Sequence, residues 1–211
     1  MRTEFKELDK LIDLNEPQLI ALTGSTLVDM LSGDIANNIC LHQEKEVLEI
    51  VSHKKEYLIK RLFVNQTDMG YRNWTLKDKY TDAELKQIGQ AIVNLIEVTK
   101  RLPTIVETEI MNLKDIKQYI EAYANNYADR NTIETLIVLD IFPLNDKYHI
   151  EKYAGECAWF IKDIRKICKR LKCPIIFVYY GNFRRIKSYV DKIIITTDKE
   201  LQNRNIELRS I

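Results

Sequence analysis

The chain has 211 residues, 45% of them apolar, which is enough for one well-buried core. Charged residues make up 30%, yet the formal net charge is +1, so no global attraction to nucleic acid or anionic lipid is implied and any such binding has to come from a local patch. The charged opening, Met1 to Lys10, has no apolar run like that of a signal peptide, and no stretch approaches the ~18 uninterrupted apolar residues of a membrane span, so a cytoplasmic protein without membrane contact is expected.

In chain order, Gln18 to Thr23 (QLIALT) reads as the first buried strand and Val47 to Ser52 (VLEIVS) as the second. Lys54 to Phe63 then brings Leu58, Ile59 and Leu62 onto one helical face. Tyr71 to Tyr80 (YRNWTLKDKY) is a polar aromatic insert whose Tyr71, Trp74 and Tyr80 serve either as an interface or to pack a loop onto the domain. Thr81 to Arg101 places Leu85, Ile88, Ile92, Leu95 and Ile96 on one face, with Thr81 and Glu84 spaced as a capping box. Pro103 to Glu107 (PTIVE) is a third strand. Asn112 to Tyr127 is a helix with the stripe Leu113, Ile116, Ile120 and Tyr123, Asn112 as its N-cap, and Tyr119, Tyr123 and Tyr127 at the edge of the core. Thr135 to Asp140 (TLIVLD) is a strand, Glu151 to Leu171 a helix with Cys157, Ile161, Ile164, Cys168 and Leu171 inward, and Pro174 to Tyr180 and Val190 to Thr196 two further strands.

The strand runs are short, β-branched and nearly continuous, as in strands covered on both faces. Their alternation with helices predicts an α/β protein, a mostly parallel sheet with helices on both faces, in a single domain over residues 1–211. Ligands of such sheets bind beyond the carboxyl ends of the strands, so the segments after each strand are where chemistry is to be sought. The four cysteines, Cys40, Cys157, Cys168 and Cys173, include no C-x-x-C pair and read as reduced thiols. His42, His53 and His149 are not spaced as ligand pairs, so no metal site is expected.

Taken in order, these segments resemble the C-terminal RecA-like motor domain of DnaB-type replicative helicases. Glu4 to Leu11, with its Phe followed by Leu-Asp-Lys, is similar to the segment that opens that domain. Val47 to Leu62 is similar to its second strand and following helix, Thr81 to Tyr123 to its helix, Leu-Pro-containing strand and next helix. Thr135 to Leu144 (TLIVLDIFPL) looks like the Walker B strand, and Trp159 to Arg184 like the helix, strand and polar loop beyond it. The likeness runs from about residue 4 to about residue 198, and the family's N-terminal helical domain has no counterpart. It implies a RecA-like fold and a site for ATP and magnesium.

At that site the residues depart from the pattern. A P-loop, G-x-x-x-x-G-K-[ST], uses backbone amides, a Lys and a hydroxyl to hold phosphates and magnesium. Here the strand exits into Thr23-Gly24-Ser25-Thr26-Leu27-Val28-Asp29, and no Lys or Arg lies between Gln18 and Leu41. Gly24, Ser25 and Thr26 remain as candidate cofactor-binding backbone donors, the alternative being a strand-to-helix turn with a Ser/Thr cap. The family's catalytic Glu after the second strand is replaced by Ser52-His53-Lys54-Lys55, with Glu56 the nearest carboxylate; His53 is either a base or a solvated helix start. Asp140 is the one position that matches a catalytic motif, as a relic of Walker B or as a turn cap. The family's phosphate-sensing Gln is replaced by Tyr179-Tyr180-Gly181-Asn182-Phe183, and only Asn203-Arg204-Asn205 hints at its C-terminal Lys and Arg.

Losing the Lys and the Glu together removes the charge stabilisation on which phosphoryl transfer depends, so a pseudo-ATPase with no cofactor is expected, ATP and magnesium entering only under the alternative of a rearranged phosphate site. Such a chain acts by binding. The partner is a replicative helicase, a loader or another copy of itself, in DNA replication or in a mobile element or phage. A third alternative is a single-stranded DNA-binding module using Arg184, Arg185 and Lys187, beside the cations Lys162, Arg165, Lys166, Lys169, Arg170 and Lys172 of the preceding helix, which otherwise form a solvated face partly neutralised by Asp163.

Overall fold

The computed structural model describes residues 1–24, 28–51, 80–98, 104–107, 113–125, 135–140, 154–197 and 209–210. In chain order these form α1 (Lys6–Asp9), β1 (Leu19–Thr23), α2 (Val28–Gln43), β2 (Glu46–Val51), α3 (Asp82–Val98), β3 (Thr104–Glu107), α4 (Leu113–Asn125), β4 (Thr135–Asp140), α5 (Ala154–Leu171), β5 (Ile175–Val178), a single 3-10 turn (Phe183–Arg185), β6 (Lys192–Ile195) and β7 (Arg209–Ser210).

The strands form one sheet in the order β3-β2-β4-β5-β1-β6-β7. Six of them run parallel, and β7 closes one edge antiparallel to β6. Strict alternation of side chains divides the core into two halves. Leu19, Ala21, Leu48, Ile50, Ile137, Leu139, Ile175 and Phe177 point to one face, where Ile116 and Ile120 of α4 and Phe160, Ile161, Ile164 and Cys168 of α5 cover them. Ile20, Leu22, Val47, Leu136, Val138, Ile176 and Val178 point to the other, under Val28, Leu31, Ile35 and Ile39 of α2. Because both faces are dry, the strand sequences show no polar alternation, which is why they read as continuous apolar runs. This is the α/β arrangement expected from the sequence.

Helix α2 lies where a sequence reading finds no amphipathic pattern. Ten of its residues, Asp29, Ser32 and Asn37 among them, are buried. Part of the reason is a second cover: Leu8, Ile12 and Leu14 of the N-terminal segment join the α2 cluster. That segment is fastened to α2 by the Gln43 side-chain amide, which accepts from Arg2 N (2.8 Å) and donates to Arg2 O (2.5 Å), and by Asn38 Nδ2 donating to Thr3 O at 3.0 Å. A helix covered on more than one side loses its stripe.

Helix α3 begins with the predicted capping box: Glu84 N donates to Thr81 Oγ1 (3.3 Å) while Glu84 Oε2 accepts from Thr81 N (2.8 Å). Its apolar stripe is a correction. Leu85 and Ile92 are 52% and 41% exposed, and among its described side chains only Ala91 is buried. Helix α3 leads into β3, the edge strand, whose own residues are exposed or half-buried. Periodicity identified the helix, but the edge of a sheet offers less surface to cover its stripe. The expected helix over residues 54–63, the aromatic insert up to Lys79 and the N-cap Asn112 lie outside the described residues.

Candidate functional site

The carboxyl ends of β1, β2, β4, β5 and β6 gather at one edge of the core, where a ligand of this fold class would sit. Strand β1 ends at Thr23 and is followed by Gly24 with φ +103°, a conformation L residues rarely adopt. The glycine is pressed against the exit of β6: a Cβ there would lie 2.4 Å from Thr196 O and 2.9 Å from Ile195 Cγ2. Thr196 N donates to Thr23 O at 2.9 Å, so the two strands leave the sheet still hydrogen-bonded. Helix α2 is described from Val28. Asp29, in the first turn of α2, is 8% exposed, so the positive end of the helix dipole already has a carboxylate of this chain beside it. Ser25 and Thr26 lie outside the described residues.

Strand β4 ends on Asp140, which is 2% exposed. Its register partner is Val51, the last residue of β2, which pairs in turn with Glu107 at the end of β3. Strand β5 stands between β4 and β1, so Asp140 and Thr23 are two strand spacings apart, ~10 Å. Ser52, His53 and Glu56 lie outside the described residues. Beyond β5, Tyr179 N donates to Leu22 O at 2.9 Å, and the buried Tyr179 ring packs on Phe177 with centroids 5.6 Å apart. The Tyr179 hydroxyl overhangs Gly181, where a Cβ would come within 2.5 Å of it. The Asn182 side chain accepts from Arg184 N at 3.0 Å and so caps the turn Phe183–Arg185.

Arg184, Arg185 and Lys187 are exposed, and no acid among the described residues pairs with them. Ile186 and Val190 anchor their segment in the same core half as α5. Arg165 of α5 donates from Nη1 to Ser188 O (3.4 Å) and from Nε to Asp191 Oδ1 (3.0 Å), while Asp191 Oδ2 accepts from Leu19 N at 3.0 Å. The structure therefore brings the basic helix and the basic segment beside each other.

Sequence reasoning missed a second cluster on α5. Trp159 is 53% exposed, and Lys117 Nζ of α4 lies 5.3 Å from its ring centroid. The same ammonium donates to Asp163 Oδ2 at 2.7 Å, and Lys166 pairs with Asp163 Oδ1 at 3.2 Å. The hydrogen bond from Lys117 is the main reason that the Asp163 carboxyl is held below its ordinary range, against the opposing effect of its burial. No local signal pointed to Lys117, which is 46 residues away in sequence. Cys40, Cys168 and Cys173 are buried free thiols. Burial pushes Cys40 and Cys173 up to about 12, and Cys168 up as well.

No family profile and no curated protein matches the sequence. Solved structures do match. One, of an ATPase domain, superposes with a TM-score of 0.71 over 97% of this chain and 78% of that one, at 12% identity. A structure of a DnaB-like replicative helicase and its interactions with primase gives 0.69 over 99% of this chain and 58% of that one, at 11% identity. With the strand order and the two covered sheet faces, these likenesses show that the chain has the RecA-like α/β fold of DnaB-like helicase ATPase domains.

Proposed function

We propose that this chain is a catalytically inactive, DnaB-like protein that acts by binding protein or DNA, in DNA replication or in a mobile-element or phage context. The observation that carries the proposal is the connection from β1 to α2. A P-loop holds the β/γ-phosphates with a Lys directly after its second glycine, whereas no Lys or Arg lies between Gln18 and Leu41. The connection contains no cation, and Asp29 stands at the helix start with little access to water. A buried carboxylate and a triphosphate repel each other in a site where water screens neither. These residues do not fit a magnesium nucleotide. The reading is tested by titrating the full chain with a fluorescent ATP analogue and magnesium: no saturable binding and background phosphate release are expected, and a saturable isotherm overturns it.

Asp140, buried at the end of β4, is the observation that favours the alternative of a nucleotide site with rearranged phosphate contacts. The same titration decides it. The partner of an inactive chain is a replicative helicase, a loader or a second copy. Single-stranded DNA is the competing partner, on the strength of the exposed Arg184, Arg185 and Lys187. Binding through those three would weaken with salt with a log–log slope of about −2 and fall with Arg184→Ala and Arg185→Ala; binding that ignores salt and both substitutions removes DNA from consideration.

A further inference from the structure

The outward side of α5 carries Trp159, Lys162, Lys166 and Lys169, at spacings of three, four and three residues. All four are exposed, Trp159 by 53%. That spacing puts them in one ridge along the helix, the spacing by which one helix seats against another. The buried side of the same helix, Phe160, Ile161, Ile164, Ile167 and Cys168, is already used by the core, so the ridge faces away from the domain.

The ridge has an apolar anchor at one end and cations along the rest. The anchor is fixed in place: Lys117 lies against its ring and is itself held by Asp163, which also holds Lys166. A half-exposed tryptophan held against Lys117 has little rotamer entropy left to lose, as in the aromatic hot spots of protein interfaces. The cations define the partner's charge. A polyanionic nucleic acid is the less favoured occupant. The carboxylate of Asp163, paired with Lys166, interrupts the cationic track that a phosphate backbone follows.

We propose that this ridge docks an acidic amphipathic helix of a partner protein, one apolar side chain of that helix seated on Trp159 and carboxylates at three- and four-residue spacing opposite Lys162, Lys166 and Lys169. The proposal deepens the binding role described above and rests on it only in that the chain's output is an association and not hydrolysis. The ridge lies on the sheet face covered by α4 and α5, so nucleotide at the strand ends and a helix on the ridge are separate events.

The test uses the full chain and three fluorescent probes read by anisotropy: a 20-residue peptide with Glu at three- and four-residue spacing around one central Phe, a scrambled peptide of identical composition, and a 20-nucleotide thymidine oligomer. Saturable binding of the amphipathic peptide is expected, at least ~10-fold tighter than the scrambled one. Trp159→Ala should weaken it at least ~10-fold, and Lys162→Glu and Lys166→Glu several-fold each, with circular dichroism unchanged. Lys162 has no ion-pair partner among the described residues, so Lys162→Glu keeps the test informative should the Trp159 variant misfold. Equal binding of the scrambled peptide, no binding, or tighter binding of the oligomer with the same variants responding overturns the proposal, the last marking a nucleic-acid face. A parallel titration with fluorescent ATP analogue separates the two readings: nucleotide binding would end the inactive-ATPase reading and leave the peptide result standing.

Discussion

Replacing Gly24 by alanine asks whether this glycine serves a ligand or the fold. In a phosphate-binding loop a glycine lets backbone amides approach the nucleotide, and its loss is felt when the nucleotide binds. Here two costs arise without any ligand. The residue sits at φ +103°, where a Cβ costs about 1–2 kcal/mol. The added carbon would lie 2.4 Å from Thr196 O, a main-chain atom. That carbonyl belongs to a residue whose own N–H is bonded to Thr23 O at 2.9 Å, so it cannot retreat without disturbing the β1–β6 pair. Overpacking against backbone costs about 1–3 kcal/mol more. A total near 3 kcal/mol lowers the melting temperature by roughly 6–12 °C for a chain of this size and moves the urea midpoint down by about 1 M. Urea unfolding of the ligand-free protein, followed by circular dichroism, measures it. Gly89, in the interior of α3 with nothing within 4 Å of a built Cβ, is the control; Gly89→Ala should stabilise by roughly 0.5–1 kcal/mol. A Gly24→Ala midpoint within ~0.5 kcal/mol of the parent would refute the packing argument and return Gly24 to the list of ligand-binding candidates.

Three further outcomes follow from the contacts. Asp163 has a depressed carboxyl pKa, so its share of stability is complete above the unfolded value near ~3.9 and is lost as pH falls through the lower folded value. Asp163→Asn should therefore cost about 1 kcal/mol at pH 7, and the difference between the two proteins should shrink as pH falls below the unfolded value and vanish once the folded carboxyl is protonated; a gap that stays constant as the pH falls assigns the effect to packing. Asp191→Ala leaves Leu19 N and the Arg165 guanidinium without their shared acceptor and should cost about 2–4 kcal/mol, with a coupling of roughly 1–2 kcal/mol to Arg165→Ala in a double-mutant cycle read by urea unfolding. Cys40 and Cys173, with thiols pushed up to about 12 by burial, should resist alkylation at pH 8 in the native protein and react on unfolding, as mapped by peptide mass spectrometry; rapid native labelling of either would contradict its burial.

The sheet was the most legible part of the sequence, for a reason specific to its construction. Strands buried on both faces are apolar at nearly every position, so QLIALT, TLIVLD and PIIFVYY stand out without reference to anything distant. Helix α2 was not legible, because cover by Leu8, Ile12 and Leu14 in addition to the sheet erases the stripe that periodicity detects. The stripe on α3 was legible as helix and misleading as core. At the candidate site the distribution is similar. The burial of Asp140 follows from its place at the end of a buried strand. The confinement of Gly24 by Thr196 joins residues whose approach depends on β6 returning beside β1, and neither local spacing nor composition encodes that. The Lys117–Trp159–Asp163 cluster depends in the same way on α4 and α5 packing side by side.

Apart from Asp140, the described positions near an ATPase motif have a structural account in this chain. Gly24 is required by its φ and by the β6 exit. Asn182, near the family's phosphate-sensing position, caps the turn Phe183–Arg185, and Gly181 makes room for the Tyr179 hydroxyl. Asp29 places a carboxylate at the helix start that would otherwise attract a phosphate. On the inactive reading proposed above, the fold keeps its strand order without the chemistry, because the strand order is held by both core halves at once and the chemistry by a few loop residues. Such a chain keeps what the core demands and is free to change at the strand ends and on outward helix faces. If that division is right, substitutions at Asp140 should be read in stability assays, those at Trp159 and Lys162 in binding assays, and neither set in phosphate release. A single variant among these that altered a measurable rate of ATP hydrolysis would break the division.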